Sequence, residues 1–185
     1  MINLYLNAAF IKQFKDFWFQ KDGRWILKES ICIRKFGDTS VEFASTDGQK
    51  LLVIRRPLAD KEEIDDKEYV VSVGNLPLKG KYLSYQLTVA DNVAQFIDGI
   101  NVYKFPLMEG NYSDYRKLIE DARNCEKAKE YTAFKWENLK ALQNVLSTNI
   151  WDVPKKSGHA YLWSRENDLR NEATYVLICS HLLNN

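Results

Sequence analysis

Between Asn7 and Trp18 the apolar residues Phe10, Ile11, Phe14, Phe17 and Trp18 recur at helical spacing, and Lys12 and Lys15 fall on the opposite side. This spacing predicts an amphipathic helix capped by Asn7. From Ser30 the period drops to two. Ile31 and Ile33 alternate with Cys32 and Arg34, and Val41 and Phe43 alternate with Glu42 and Ala44. Leu51 to Ile54 form a short apolar run ahead of Pro57. Gly37-Asp38 and Asp47-Gly48 punctuate these runs as turns. With Ile2 to Leu6 as a first strand, the order is strand, helix, strand, strand, strand.

Further strands are expected at Tyr69 to Val73, Tyr82 to Ala90, Ala94 to Ile97 and Asn101 to Met108. The segment Gly74 to Lys81, with Gly at 74 and 80 and Pro77 between, is too short for a stable helix. The run 60–68 is charged at every position except Ile64 and reads as a solvated connection. Residues 113–130 are polar and read as a linker with some helical character. A second helix is expected from Lys135 to Leu146, with Leu139, Leu142 and Leu146 as its stripe and Lys140 and Asn144 opposite. Tyr131 to Phe134, Ile150 to Val153, His159 to Ser164 and Thr174 to Ser180 are strand-like. The tail therefore repeats the opening plan of strand, helix and strands. The fold class this predicts is α+β, with antiparallel sheets and helices packed on one face.

The chain has 185 residues, enough for one domain with a full core plus a further piece. Lys and Arg number 26 against 25 Asp and Glu, a net charge of +1, so bulk charge does not mark a nucleic-acid binder. Cys32, Cys125 and Cys179 are odd in number and far apart, which suggests neither a disulfide framework nor a zinc site. His159 and His181 have no ligand-spaced neighbours. No cofactor or metal is expected. No phosphate loop or nucleophile elbow occurs. Asp65-Asp66-Lys67 imitates the end of a nuclease motif, but it lies in a charge run where solvation explains it better. Asp47 has a similar plain account as a turn cap. The chemistry of an enzyme is not found. The N-terminus does not read as a signal peptide and no apolar run spans a membrane, so a cytoplasmic protein is expected.

Two segments carry a resemblance. Asp22-Gly23-Arg24-Trp25-Ile26-Leu27 is followed by two strands and then Phe43-Ala44-Ser45-Thr46-Asp47-Gly48-Gln49-Lys50-Leu51. About sixty residues on comes Leu107-Met108-Glu109-Gly110-Asn111-Tyr112-Ser113-Asp114-Tyr115-Arg116. In this order, they resemble the middle domain of the bacterial β sliding clamps, the β subunits of DNA polymerase III. There an Ala-Thr-Asp-Gly-His-Arg-Leu segment precedes a Pro-Asp-Tyr-Arg segment; Ser113 replaces that proline. Thr174 to Leu182 is similar to the closing strand of the clamp, with Ile178-Cys179-Ser180 in place of Met-Pro-Met.

The resemblance implies a βαβββ clamp-like domain at 1–119, a linker at 120–127 and half a clamp domain at 128–185, as in a shortened phage or mobile-element relative. It also implies a processivity factor of DNA replication that tethers partners to double-stranded DNA. Partner peptides, from polymerase, clamp loader or repair proteins, would dock on Leu27, Thr46, Gly48, Gln49, Lys50 and Leu51, with Val176, Ile178 and Ser180 completing the pocket. The plainer account of Leu27, Leu51, Val176 and Ile178 is that they are core. Lys12, Lys15 and Lys140 are the matching DNA-facing candidates, and the plainer account of each is a solvated helix face. Self-association into a ring follows from the same resemblance. The alternative is a clamp-derived decoy or regulator that binds replication or repair proteins without encircling DNA.

Overall fold

The computed structural model describes residues 1–18, 29–80, 83–109, 112, 114–126, 136–146, 154–157 and 160–179. The elements in chain order are β1 (Ile2–Asn7), α1 (Ala8–Lys12), β2 (Ser30–Phe36), β3 (Ser40–Thr46), β4 (Lys50–Pro57), β5 (Glu63–Ile64), β6 (Tyr69–Ser72), β7 (Ser84–Ala90), β8 (Val93–Ile97) and β9 (Val102–Pro106). They continue with α2 (Tyr115–Arg123), α3 (Trp136–Leu146), β10 (Lys155–Ser157), β11 (Ala160–Asn167) and β12 (Glu172–Cys179). The strands expected at 131–134 and 150–153 lie outside the described residues, as do His159 and His181.

Two antiparallel sheets result. One runs β5-β1-β7-β8-β9 and the other β10-β11-β12-β4-β3-β2-β6. The first strand therefore leaves its sequence neighbours and pairs with β7, from Asn3 against Thr88 to Asn7 against Ser84. The described strands of the tail join an existing sheet. Its last described strand, β12, pairs with β4 from Ala173 against Arg55 to Ile178 against Lys50, so residues far apart in the chain share one seven-stranded sheet.

Asn7 starts α1 as expected: its side-chain carbonyl accepts the Phe10 amide at 2.6 Å. The helix is shorter than its apolar spacing suggests. It stops at Lys12, and Lys15–Phe17 continue as a 3-10 turn. There the Asp16 carbonyl accepts the Lys50 ammonium at 2.7 Å, which ties the turn to β4.

Strand alternation sorts the seven-stranded sheet into two buried faces. Ile31, Ile33, Phe43, Leu52, Val176 and Ile178 join the main core with the five-stranded sheet, with Ile11, Phe14 and Phe17, and with Ala141, Leu142 and Val145 of α3. Both α1 and α3 thus pack on this core. The buried stripe of α3 keeps Leu142 of the expected one and departs from it at Leu139. Leu139 is 36% exposed, while Ala141, Leu142 and Val145 are buried. The other face of the sheet is also covered. Cys32, Ala44, Leu51, Val53, Val70, Leu162, Tyr175 and Leu177 pack under Tyr112 and under Tyr115, Ile119 and Ala122 of α2. The polar stretch 113–130 therefore contributes an amphipathic helix that seals a second core.

The charged run 60–68 is more than a solvated connection. Glu62 accepts Arg56 through two guanidinium nitrogens at 2.5 and 2.7 Å, the Ala59 amide at 2.8 Å and the Tyr5 amide at 2.6 Å. Burial alone would raise its pKa; Arg56 and the two amides outweigh that and hold it below the ordinary 4.5. A carboxyl with a depressed folded-state pKa adds stability above its unfolded value, and the contribution fades as pH falls through the folded value. We expect Glu62→Gln to cost roughly 1–2 kcal/mol at neutral pH. The gap to wild type should close as pH drops below the ordinary carboxyl value of 4.5. Thermal melts of both proteins from neutral to strongly acid pH check this, and a gap that stays constant would contradict it.

Candidate binding pocket

The turn between β3 and β4 is preset by its own side chains. Asp47 accepts the Gln49 and Lys50 amides at 2.9 and 2.8 Å. Thr46 donates its hydroxyl to the Lys50 carbonyl at 2.6 Å and accepts the Gly48 amide at 3.0 Å. Gly48 sits at φ +88°, a conformation that favours glycine. The Cys179 amide donates to the Gln49 carbonyl at 2.9 Å, which ties this turn to the end of β12. The Lys50 ammonium lies 3.2 Å from Asp47.

The two segments that carry the resemblance meet in space. The Thr46 amide donates to the Tyr112 hydroxyl at 3.1 Å. Asp114 caps α2 by accepting the Lys117 amide at 3.3 Å. Tyr115 donates its hydroxyl to Glu42 at 3.3 Å, and Arg116 donates to the same carboxylate at 2.7 Å and to the Lys35 carbonyl at 2.8 Å. Arg55 grips the other oxygen of Glu42 at 2.9 and 3.1 Å. Glu42 is only 2% exposed, so a buried carboxylate holds α2 against β3 and β4. A second carboxylate, Glu68, accepts Arg34 and the Tyr112 amide. Burial pushes the Tyr115 phenol up, with Cys32 and Glu42 adding to the rise, so it is a neutral donor.

Between α2, this turn and β12 lies a cavity of about 400 Å³. Thr46, Gly48, Gln49, Lys50 and Leu51 line it, as do Tyr115, Leu118 and Asp121 of α2 with Ala160, Leu177 and Cys179 of the tail strands. The size falls within the range of small-ligand and side-chain pockets. Burial, with the Asp47 carboxylate adding to it, raises the Cys179 thiol above its ordinary value, so at neutral pH it offers the pocket an uncharged, soft contact.

Five of the nine residues expected to form a pocket are thus brought together. Val176 and Ile178 are not among them. They are fully buried in the main core on the opposite face of the sheet, because Leu177 is the residue that pairs with Leu51 and alternation sends its neighbours the other way. Leu177 and Cys179 occupy that wall instead. Leu27 and Ser180 lie outside the described residues. Tyr115, Leu118 and Asp121 escape a reading of the sequence because the stretch after Asp114 is polar. Their spacing of three residues, Tyr115 to Leu118 to Asp121, is the available signal.

Lys12 and Lys15 are exposed on and just after α1, and Lys140 is exposed on α3. The structure places these two helices on one core. Among the described residues there is no cluster of three or more His, Cys, Asp or Glu able to hold a metal ion, and no helix long and apolar enough to cross a membrane.

No family model matches the sequence, and no curated protein matches it either. Solved structures do match. The DNA polymerase III beta subunit of Thermotoga maritima superposes with a TM-score of 0.63 over 97% of this chain and 64% of its own, at 11% identity. That of Borrelia burgdorferi, solved with a natural product, gives 0.62 over 100% of this chain and 65% of its own, at 12% identity. The Helicobacter pylori beta clamp, bound to a DNA ligase peptide, gives 0.59 over 99% and 68%, at 10% identity. The fold is that of a sliding clamp. At such identities the likeness is one of fold, and this clamp-like chain spans 64% of the Thermotoga maritima subunit, less than two thirds of it.

In the clamp-like chain the pocket wall depends on Glu42. Arg116→Met removes one of its two guanidinium partners and leaves a buried carboxylate short of a donor, at an expected cost of about 1–3 kcal/mol. Hydrogen exchange should show the amides of α2 opening first. Equal protection of α2 in variant and wild type would contradict this.

Proposed function

We propose that the chain is a sliding-clamp-like accessory protein of DNA replication that is not an enzyme and that tethers partner proteins through the pocket between α2, β12 and the Thr46–Lys50 turn. The observation that carries this reading is the cavity itself. Its apolar floor of Leu51, Leu118 and Leu177 is framed by a turn that internal hydrogen bonds fix in advance. A pocket of this kind binds a Leu or Phe anchor of a partner peptide by area burial, about 1.5–3 kcal/mol for one side chain. The Helicobacter pylori clamp of the same fold was solved with a DNA ligase peptide, which supports the class of ligand.

The test is fluorescence anisotropy with a labelled short peptide carrying a Leu-Phe pair. Leu118 is half exposed on α2, so Leu118→Asp should leave the fold intact while placing a charge on the pocket floor. Binding should fall about tenfold or more. An unchanged affinity would remove the pocket from consideration.

A second reading, a decoy or regulator that binds the same partners without encircling DNA, is favoured by charge. The net charge is +1. Two end strands, β9 and β10, carry lysines (Lys104 and Lys156), which discourage pairing of one such edge with another. If Lys12, Lys15 and Lys140 touch phosphates, reversing all three to Glu should lower double-stranded DNA affinity and reduce the salt slope by roughly 2–3. A slope that does not move, together with a monomer by light scattering, favours the decoy.

A further inference from the structure

We infer that the pocket selects its occupant by charge, taking an apolar anchor flanked by a lysine or arginine, with Asp121 as the selecting residue. This rests on the reading of the cavity as a peptide site. Most charge around the cavity is already consumed internally. Asp47 accepts two amides of its own turn and pairs with Lys50 at 3.2 Å, and the Lys50 ammonium also donates to the Asp16 carbonyl. These groups present little net charge to an incoming ligand.

Asp121 differs. It lies one helical turn beyond Leu118 on α2, and both residues line the cavity. It is exposed, and among the described residues no cation lies within 4 Å of its carboxylate. The Cys125 thiol at 3.2 Å donates to its backbone carbonyl instead. The nearest basic residues along the helix are otherwise placed. Arg123 pairs with Glu166 at 3.0 Å, and Arg116 with Glu42 at 2.7 Å. Lys117, one turn before Asp121, forms no ion pair with it. An acidic side chain adjacent to the anchor would therefore meet a carboxylate that no described cation neutralises, and a basic one would meet its complement.

The experiment titrates three labelled peptides that share a Leu-Phe anchor and differ in one flanking residue: Lys, Gln or Glu. Wild type, Asp121→Asn and Asp121→Lys are compared, with Leu118→Asp as the pocket control. Wild type should bind the Lys peptide roughly threefold to tenfold more tightly than the Glu peptide at low salt, with the preference shrinking as salt rises. The preference should vanish in Asp121→Asn and invert in Asp121→Lys. Equal affinity of wild type for all three peptides overturns the charge selection while leaving the pocket reading standing. A preference that survives Asp121→Asn unchanged assigns the selection to another residue and overturns the proposal. Failure of every peptide to bind wild type overturns the pocket reading, and the inference falls with it.

Discussion

A carboxylate with almost no access to water needs partners that replace its hydration, and the arrangement of this molecule turns on how Glu42 obtains them. Arg55 comes from the neighbouring strand β4, while Arg116 and Tyr115 come from α2, more than seventy residues further along the chain. The Arg55 guanidinium also lies 3.3 Å from the centre of the Phe36 ring, so its own position is fixed from a third side. Once these groups converge, α2 has one place to lie. It must cover the outer face of the seven-stranded sheet, with Tyr115, Ile119 and Ala122 inward and Leu118 and Asp121 toward the end of β12. The pocket is a by-product of that placement. Its floor is made largely of strand residues and its wall is a helix anchored by an ion network, which is why the wall position owes more to Glu42 than to any contact inside the cavity.

Much of this is legible in the sequence, because the signals are local. Alternation marks β2, β3 and β4, Asn7 announces the start of α1, and Asp47-Gly48 announces the turn. What escapes depends on distant partners. The helix after Asp114 buries only three residues among charged neighbours, so its apolar stripe is thin and the stretch passes for a linker. Glu62 resembles the solvated acids around it, and what reveals it as an anchor is that Arg56 and the nearby Ala59 amide meet on it with the Tyr5 amide from β1.

The exchange of Val176 and Ile178 for Leu177 and Cys179 has the same origin. A strand with apolar residues at every position from Tyr175 to Cys179 does not announce which side is which, and a shift of one residue against β4 inverts every side chain. The two resemblance segments stand apart from this. Local pattern marks the Asp47-Gly48 turn and likeness marks the rest, and in the fold their residues have physical partners. Thr46 bonds to Tyr112, Asp114 caps its own helix, and Arg116 holds Glu42. A fold shared at about one residue in nine with the Thermotoga maritima subunit rests on contacts of this sort, which several sequences can supply.

The pairing of β4 with β12 also has a history in time. Thr174 lies beside Ile54, more than a hundred positions earlier, so a ribosome releases β4 long before it makes the strand that shields it. During that interval Leu51 to Ile54 form an apolar ribbon with one row of amides and carbonyls unmet, the kind of template on which neighbouring nascent chains associate. Yield in the cell is then a race between elongation and aggregation. A premature stop codon ahead of β12 would harm the protein out of proportion to the residues it removes, since it would leave that interval permanently open.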